Sequence, residues 1–148
     1  MPETGRLVLD NKERGSWFSH KAEDARPYYY KVYLADYDVT AEVAPTERAA
    51  MMQFTYPATD DAFMVIDAFD GKGSVKAEPE KRRIVGKATN NHGGVADNFA
   101  NYFVIEFDRP FTLVQSQDSI AGIRFEPTRR GDKVTARVVS SFISPEQA

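Results

Sequence analysis

Apolar and polar residues alternate with a period of two through residues 29–56, and turn residues interrupt the alternation twice. Tyr30, Val32 and Leu34 fall on one side of a first run, with Tyr29, Lys31 and Tyr33 on the other. After an acidic Asp36-Tyr37-Asp38 turn, Val39, Ala41 and Val43 share a face opposite Thr40, Glu42 and Ala44. Beyond Pro45-Thr46, Ala50, Met52, Phe54 and Tyr56 oppose Met51, Gln53 and Thr55. Successive side chains of a strand point to opposite faces, so this pattern predicts a half-buried antiparallel meander over residues 27–57.

The rest of the chain continues in the same idiom. Residues 6–10 predict a short strand, with Leu7 and Leu9 on one side of Val8, and residues 19–26 form a polar approach without a clear period. The continuous apolar run at 62–69 predicts a fully buried central strand. Residues 74–81 predict an edge strand in which Pro79 is tolerable. Further strands are predicted at 83–89, 99–107, 111–115, 120–125 and 134–142, with the most loop-like passage at 90–94. About ten short strands at this spacing, with no internal repeat and no convincing helix, predict an all-β antiparallel sandwich.

Bulk properties narrow the function classes. At 148 residues the chain is one domain by length. The net charge is −3, and no basic run is longer than Lys81-Arg82-Arg83, which argues against an electrostatic nucleic-acid footprint. No apolar run approaches the length needed to span a membrane, and no secretory apolar core follows Met1. With no cysteine, disulfides, thiolate metal sites and a cysteine nucleophile are excluded.

Four separated motifs carry a family resemblance. They are Phe18-Ser19-His20 leading through an acidic stretch to Tyr28-Tyr29, the meander with its Asp-Tyr-Asp turn and Phe54-Thr55-Tyr56-Pro57, the run from Asn98-Phe99 to Asp108-Arg109-Pro110-Phe111, and the closing Ser141-Phe142-Ile143-Ser144-Pro145-Glu146-Gln147-Ala148. In this order they resemble the N-terminal domain of glycoside hydrolase family 92, the calcium-dependent exo-acting α-mannosidases. The resemblance implies a mutarotase-like supersandwich, one domain over 1–148, with 143–148 as the start of a linker to an absent catalytic (α/α) barrel. It implies that the catalytic carboxylates and the calcium ligands lie in that barrel, so that this chain has no catalytic residue and no cofactor of its own. The partners it implies are the barrel and, through the parent enzyme, mannose-containing glycans. The parent is expected to be exported, and this chain reads as part of a longer protein.

The residues themselves offer limited chemistry. Inversion at a glycosidic centre needs two carboxyls about 6.5–9.5 Å apart, whereas the acids here sit mainly in turns or on polar faces. Asp67, Asp70 and Gly71 lack the third acid a calcium loop would want, and His20 and His92 are far apart in sequence for zinc. Sugar recognition suits aromatic faces beside polar groups, a mixture present in Trp17, Phe18, Tyr28, Tyr29 and Tyr30 beside Ser19, His20, Glu23 and Asp24. Of these, Trp17, Ser19, His20 and Glu23 form the first candidate set for a pocket edge or interdomain contact, with Trp17 and His20 open between that role and the core. Tyr30 and Tyr33 read as sandwich core. The second candidate set is Asn91 in the 90–94 loop together with Asn98, for which turn geometry is the simpler explanation. A self-contained carbohydrate-binding module and a purely structural interaction domain are the alternatives to the enzyme-domain reading.

Overall fold

The computed structural model describes residues 1–68, 72–89 and 94–148. Twelve strands are found among them: β1 (Pro2–Thr4), β2 (Asp24–Arg26), β3 (Tyr29–Leu34), β4 (Val39–Pro45), β5 (Ala49–Tyr56), β6 (Ala62–Asp67), β7 (Gly73–Glu78), β8 (Arg83–Ala88), β9 (Asn101–Phe107), β10 (Phe111–Gln117), β11 (Ile120–Phe125) and β12 (Asp132–Ser141). They form a four-stranded sheet, β1-β6-β11-β10, and an eight-stranded sheet, β2-β3-β4-β5-β12-β9-β8-β7, with every pairing antiparallel. The expected sandwich is therefore present.

The meander falls as its periodicity predicts. Val32, Leu34, Val39, Phe54 and Tyr56 are buried between the sheets, and Ala41 and Met52 pack at the margin of the same core. From the smaller sheet, Ala62, Met64, Ile66, Ala121, Ile123 and Phe125 meet them. Phe107, Phe111, Phe125 and Tyr56 form a chain of edge-to-face aromatic contacts with centroids 5.4–6.5 Å apart. The Tyr56 hydroxyl satisfies itself by donating to the Phe63 carbonyl at 2.7 Å. Tyr30 is half-buried against this core as expected. Tyr33 is 45% exposed, because the same alternation that buries Val32 and Leu34 turns it to the opposite face.

Three expectations are corrected at the local level. Residues 6–10 form no strand; they are a strap across the outer face of the smaller sheet. Leu7 lies against Gly122, where an added Cβ would come within 2.6 Å of its side chain, and the Val8 N–H donates to Glu3 Oε2 at 2.8 Å. Burial, rather than a ladder, is what the apolar residues of this segment serve. Next, Asp24–Arg26 does pair with β3, although its polar residues show no period. Finally, the edge strand expected at 74–81 ends at Glu78, and Pro79–Lys81 is a 3-10 turn closed by an Arg82 in the left-handed region. A proline suits the first position of such a turn because its missing N–H has no partner to lose.

Glu3 is the price of the strap. It is fully buried, and Oε1 has no hydrogen-bond partner. Burial pushes its carboxyl above the ordinary range, against the opposing pull of the Val8 N–H. A raised folded value means that the ionised form opposes folding at neutral pH, and that this penalty fades as the pH falls toward the unfolded value. Glu3→Gln keeps an acceptor for Val8 and removes the charge. It is expected to raise the melting temperature at pH 7, with little gain at pH 4. Scanning calorimetry at the two pH values checks it.

Candidate functional site

Residues 17–26 run along the β3 edge of the larger sheet, and both ends of the run are anchored. At one end the Trp17 N–H donates to Asp36 Oδ2 at 2.6 Å, and its carbonyl accepts from the Ala35 N–H at 2.9 Å. The fixed backbone holds an indole that is 70% exposed, so Trp17 is not core. Phe18 follows, edge-on to the His20 ring at 4.9 Å. The Ser19 carbonyl accepts from the Ala22 N–H at 2.9 Å, turning the chain into β2. At the far end, β2 pairs Ala25 with Tyr30.

This hairpin builds a relay of three side chains. His20 Nδ1 lies 2.9 Å from Glu23 Oε1, and the Tyr30 hydroxyl donates to Glu23 Oε2 at 2.7 Å. The His20 and Tyr30 hydrogen bonds hold the Glu23 carboxyl below its ordinary range, and the carboxylate in turn pushes the Tyr30 phenol up. A neutral imidazole that donates Nδ1–H to Glu23 keeps Nε2 as an acceptor, and the ring is 82% exposed. The arrangement therefore presents a tautomer-fixed acceptor beside two exposed aromatic rings. Glu23→Ala, which removes the acceptor, is expected to abolish the Nδ1–H preference of His20, which long-range ¹H–¹⁵N correlation spectra read directly.

Other tyrosines of β3 are tied in the same way. Tyr29 donates to Glu42 at 2.5 Å, Glu42 also accepts from Gln53 at 2.8 Å, and Tyr33 donates to Asp38 at 2.8 Å. Other carboxylates are taken by cations: Asp67 by Arg14, Asp61 by Arg124, Glu106 by Arg137 and Asp132 by Arg109. Glu78 gathers Arg83, Lys76 and Lys81 and is held down to about 2. A depressed folded value contributes stability above the unfolded value of 4.5, and the contribution is lost as pH falls through about 2. Thermal stability is thus expected to drop between pH 4.5 and 2, and Glu78→Gln should shrink the drop. Glu3, the carboxyl that burial raises, is sealed from solvent and so offers no proton to a substrate.

Sequence reasoning places Trp17, Ser19, His20 and Glu23 together, and the structure brings them onto one edge. It assigns Tyr30 to the core, because a β2 without apolar alternation hides the hairpin that carries the phenol to Glu23. Asn98 is exposed in the 94–100 segment, at the strand end where β9 begins and β12 ends. Strands β3, β4 and β5 separate β12 from β2, four spacings or ~19 Å. Asn98 therefore does not join His20. Asn91 and His92 lie outside the described residues, as do Asp70 and Gly71. Among the described residues no three of His, Cys, Asp and Glu converge where a metal ion could sit. No helix among them is long and apolar enough to cross a membrane.

The model of the glycosyl hydrolase family 92 N-terminal domain matches residues 1–143. The chain belongs to family 92. Among solved structures, the family 92 inverting mannosidase BT2199 from Bacteroides thetaiotaomicron VPI-5482 superposes with a TM-score of 0.89 at 37% identity, over 100% of this chain. The family 92 α-mannosidase BT3965 from Bacteroides thetaiotaomicron gives 0.81 at 26% identity over 99% of this chain, and it has also been solved in complex with mannoimidazole. The glycosyl hydrolase ccman5, at 23% identity and a TM-score of 0.74 over 90% of this chain, shares the fold. This family 92 domain spans only 22% of BT2199 and 24% of BT3965. No curated protein matches it.

Proposed function

We propose that this chain acts as the non-catalytic N-terminal domain of an inverting α-mannosidase, packing on the catalytic domain and lining part of the mannose pocket with its Trp17–Tyr30 edge. The observation that carries the reading is the superposition of the whole chain on a fraction of BT2199, a protein described as an inverting mannosidase. The side chains agree with a supporting role. Inversion needs one carboxyl kept protonated and a second kept ionised on opposite sides of the sugar, about 6.5–9.5 Å apart. Here the described carboxylates that have strong partners are engaged in ion pairs or tyrosine hydrogen bonds, and the one raised by burial is enclosed. Acid, base and calcium are assigned to the catalytic domain in this reading.

The contribution of this domain is then geometric. Glu23 orients His20, and Nε2 accepts a hydrogen bond from a sugar hydroxyl while Trp17 and Phe18 exclude water beside it. The test is a chimera in which this chain replaces the matched segment of BT2199. His20→Ala in that enzyme is expected to lower kcat/KM on α-mannosides roughly three- to tenfold, the worth of one hydrogen bond, with the melting temperature unchanged. An unaltered kcat/KM for both His20→Ala and Trp17→Ala would remove the pocket-wall role.

A further inference from the structure

The turn between β3 and β4 holds more than its own two strands. Residues 35–38 reverse the chain, with Asp38 in the left-handed region. The segment that ends in Trp17 docks on this turn. The Ala35 N–H donates to the Trp17 carbonyl at 2.9 Å, and the Trp17 N–H donates to Asp36 Oδ2 at 2.6 Å. The Asp36 N–H donates to Ser16 Oγ at 3.2 Å. Tyr37, itself buried, donates its hydroxyl to the Arg14 carbonyl at 3.0 Å. Residues 14–17 are therefore fixed on the turn, and the backbone of Trp17 is bonded through both its N–H and its carbonyl. The indole that this backbone carries has no share in the core, since it is 70% exposed. An aromatic ring left in water on a fixed backbone suits a contact outside the domain, because it has less freedom to lose when a ligand meets it.

We infer, on the pocket-edge reading proposed above, that Asp36 is a positioning residue for Trp17: its carboxylate fixes the backbone under the indole and so sets how tightly this edge holds a sugar ring. A carboxylate suits the task, because it only accepts, and a hydrogen bond from an N–H to an ionised acceptor is stronger than one between neutral groups. The bond to the Trp17 N–H comes from a side chain, so a substitution removes it while the Ala35 and Tyr37 bonds remain. It also lies in solvent, where the loss of one hydrogen bond leaves the fold standing.

Trp17 is the single tryptophan of the chain, so its fluorescence reports on this position alone. In the isolated chain Asp36→Ala is expected to lower the fluorescence anisotropy of Trp17 while the melting transition persists. Asp36→Asn, which keeps a carbonyl acceptor for the Trp17 N–H, is expected to restore it. In the BT2199 chimera Asp36→Ala is expected to raise KM on α-mannosides roughly threefold with kcat unchanged, as suits an unfixed side chain at a binding edge. Once Trp17→Ala is present, Asp36→Ala is expected to add nothing further. Unchanged anisotropy in Asp36→Ala would overturn the positioning role, and so would a KM effect that persists in the Trp17→Ala background. A raised KM for Trp17→Ala with Asp36→Ala kinetically silent would overturn it too, and would leave the pocket-edge reading standing. Kinetic silence of both variants would remove the pocket-edge reading and the role of Asp36 with it.

Discussion

Phe125→Ala is expected to destabilise the domain by about 3–5 kcal/mol. Phe125 is 2% exposed and touches Tyr56, Phe107 and Phe111 edge-to-face, so it joins the smaller sheet to the larger one through Tyr56 and Phe107 and packs on its neighbour strand through Phe111. Removing the ring deletes its burial and leaves a cavity that rigid strands on both sides cannot close. Against a typical total of about 5–15 kcal/mol, this is a substantial fraction. The melting temperature should fall by ~10 °C or more, and urea titration should show a lower midpoint with an unchanged slope.

Gly86→Val is expected to cost about 1–3 kcal/mol by overpacking instead. Gly86 pairs with Phe103 across β8 and β9, and the Phe103 ring covers the glycine. An added Cβ would lie 2.3 Å from Phe103 Cζ and 2.7 Å from the Ser74 carbonyl oxygen. The ring could rotate away, at the expense of its packing on the core margin. The carbonyl belongs to β7, so relief on that side requires moving a strand. Hydrogen exchange should therefore show faster exchange confined to β7 and β8 in this variant, whereas Phe125→Ala should loosen both sheets.

The meander is legible in the sequence because its three strands each have one wet face, and period two survives wherever burial alternates. The strap at 6–10 mimics a strand because Leu7 and Leu9 satisfy the same apolar pattern by lying on a finished sheet. Strand β2 is invisible for the converse reason: it is a short edge strand of polar residues whose pairing comes from the backbone. That also hides Tyr30 as a site residue, since only the Ala25–Tyr30 pairing brings its hydroxyl to Glu23. Ser19, His20 and Glu23 stand out through the family motif, not through periodicity, and Trp17 through its place ahead of the regular strands. The Phe99–Phe142 stack joins residues 43 positions apart, a contact no local pattern encodes.

The proposed role requires that this family 92 domain work as part of an enzyme and not as a sugar-binding module by itself. Calorimetric titration of the isolated chain with mannobiose and with mannoimidazole, calcium present and absent, is the sharpest test of that requirement. No saturable heat is expected up to millimolar sugar, because the relay offers one acceptor and an open edge, not an enclosed site. Saturable binding that is lost in His20→Ala or Trp17→Ala would contradict the proposed role and make the edge a self-contained carbohydrate site.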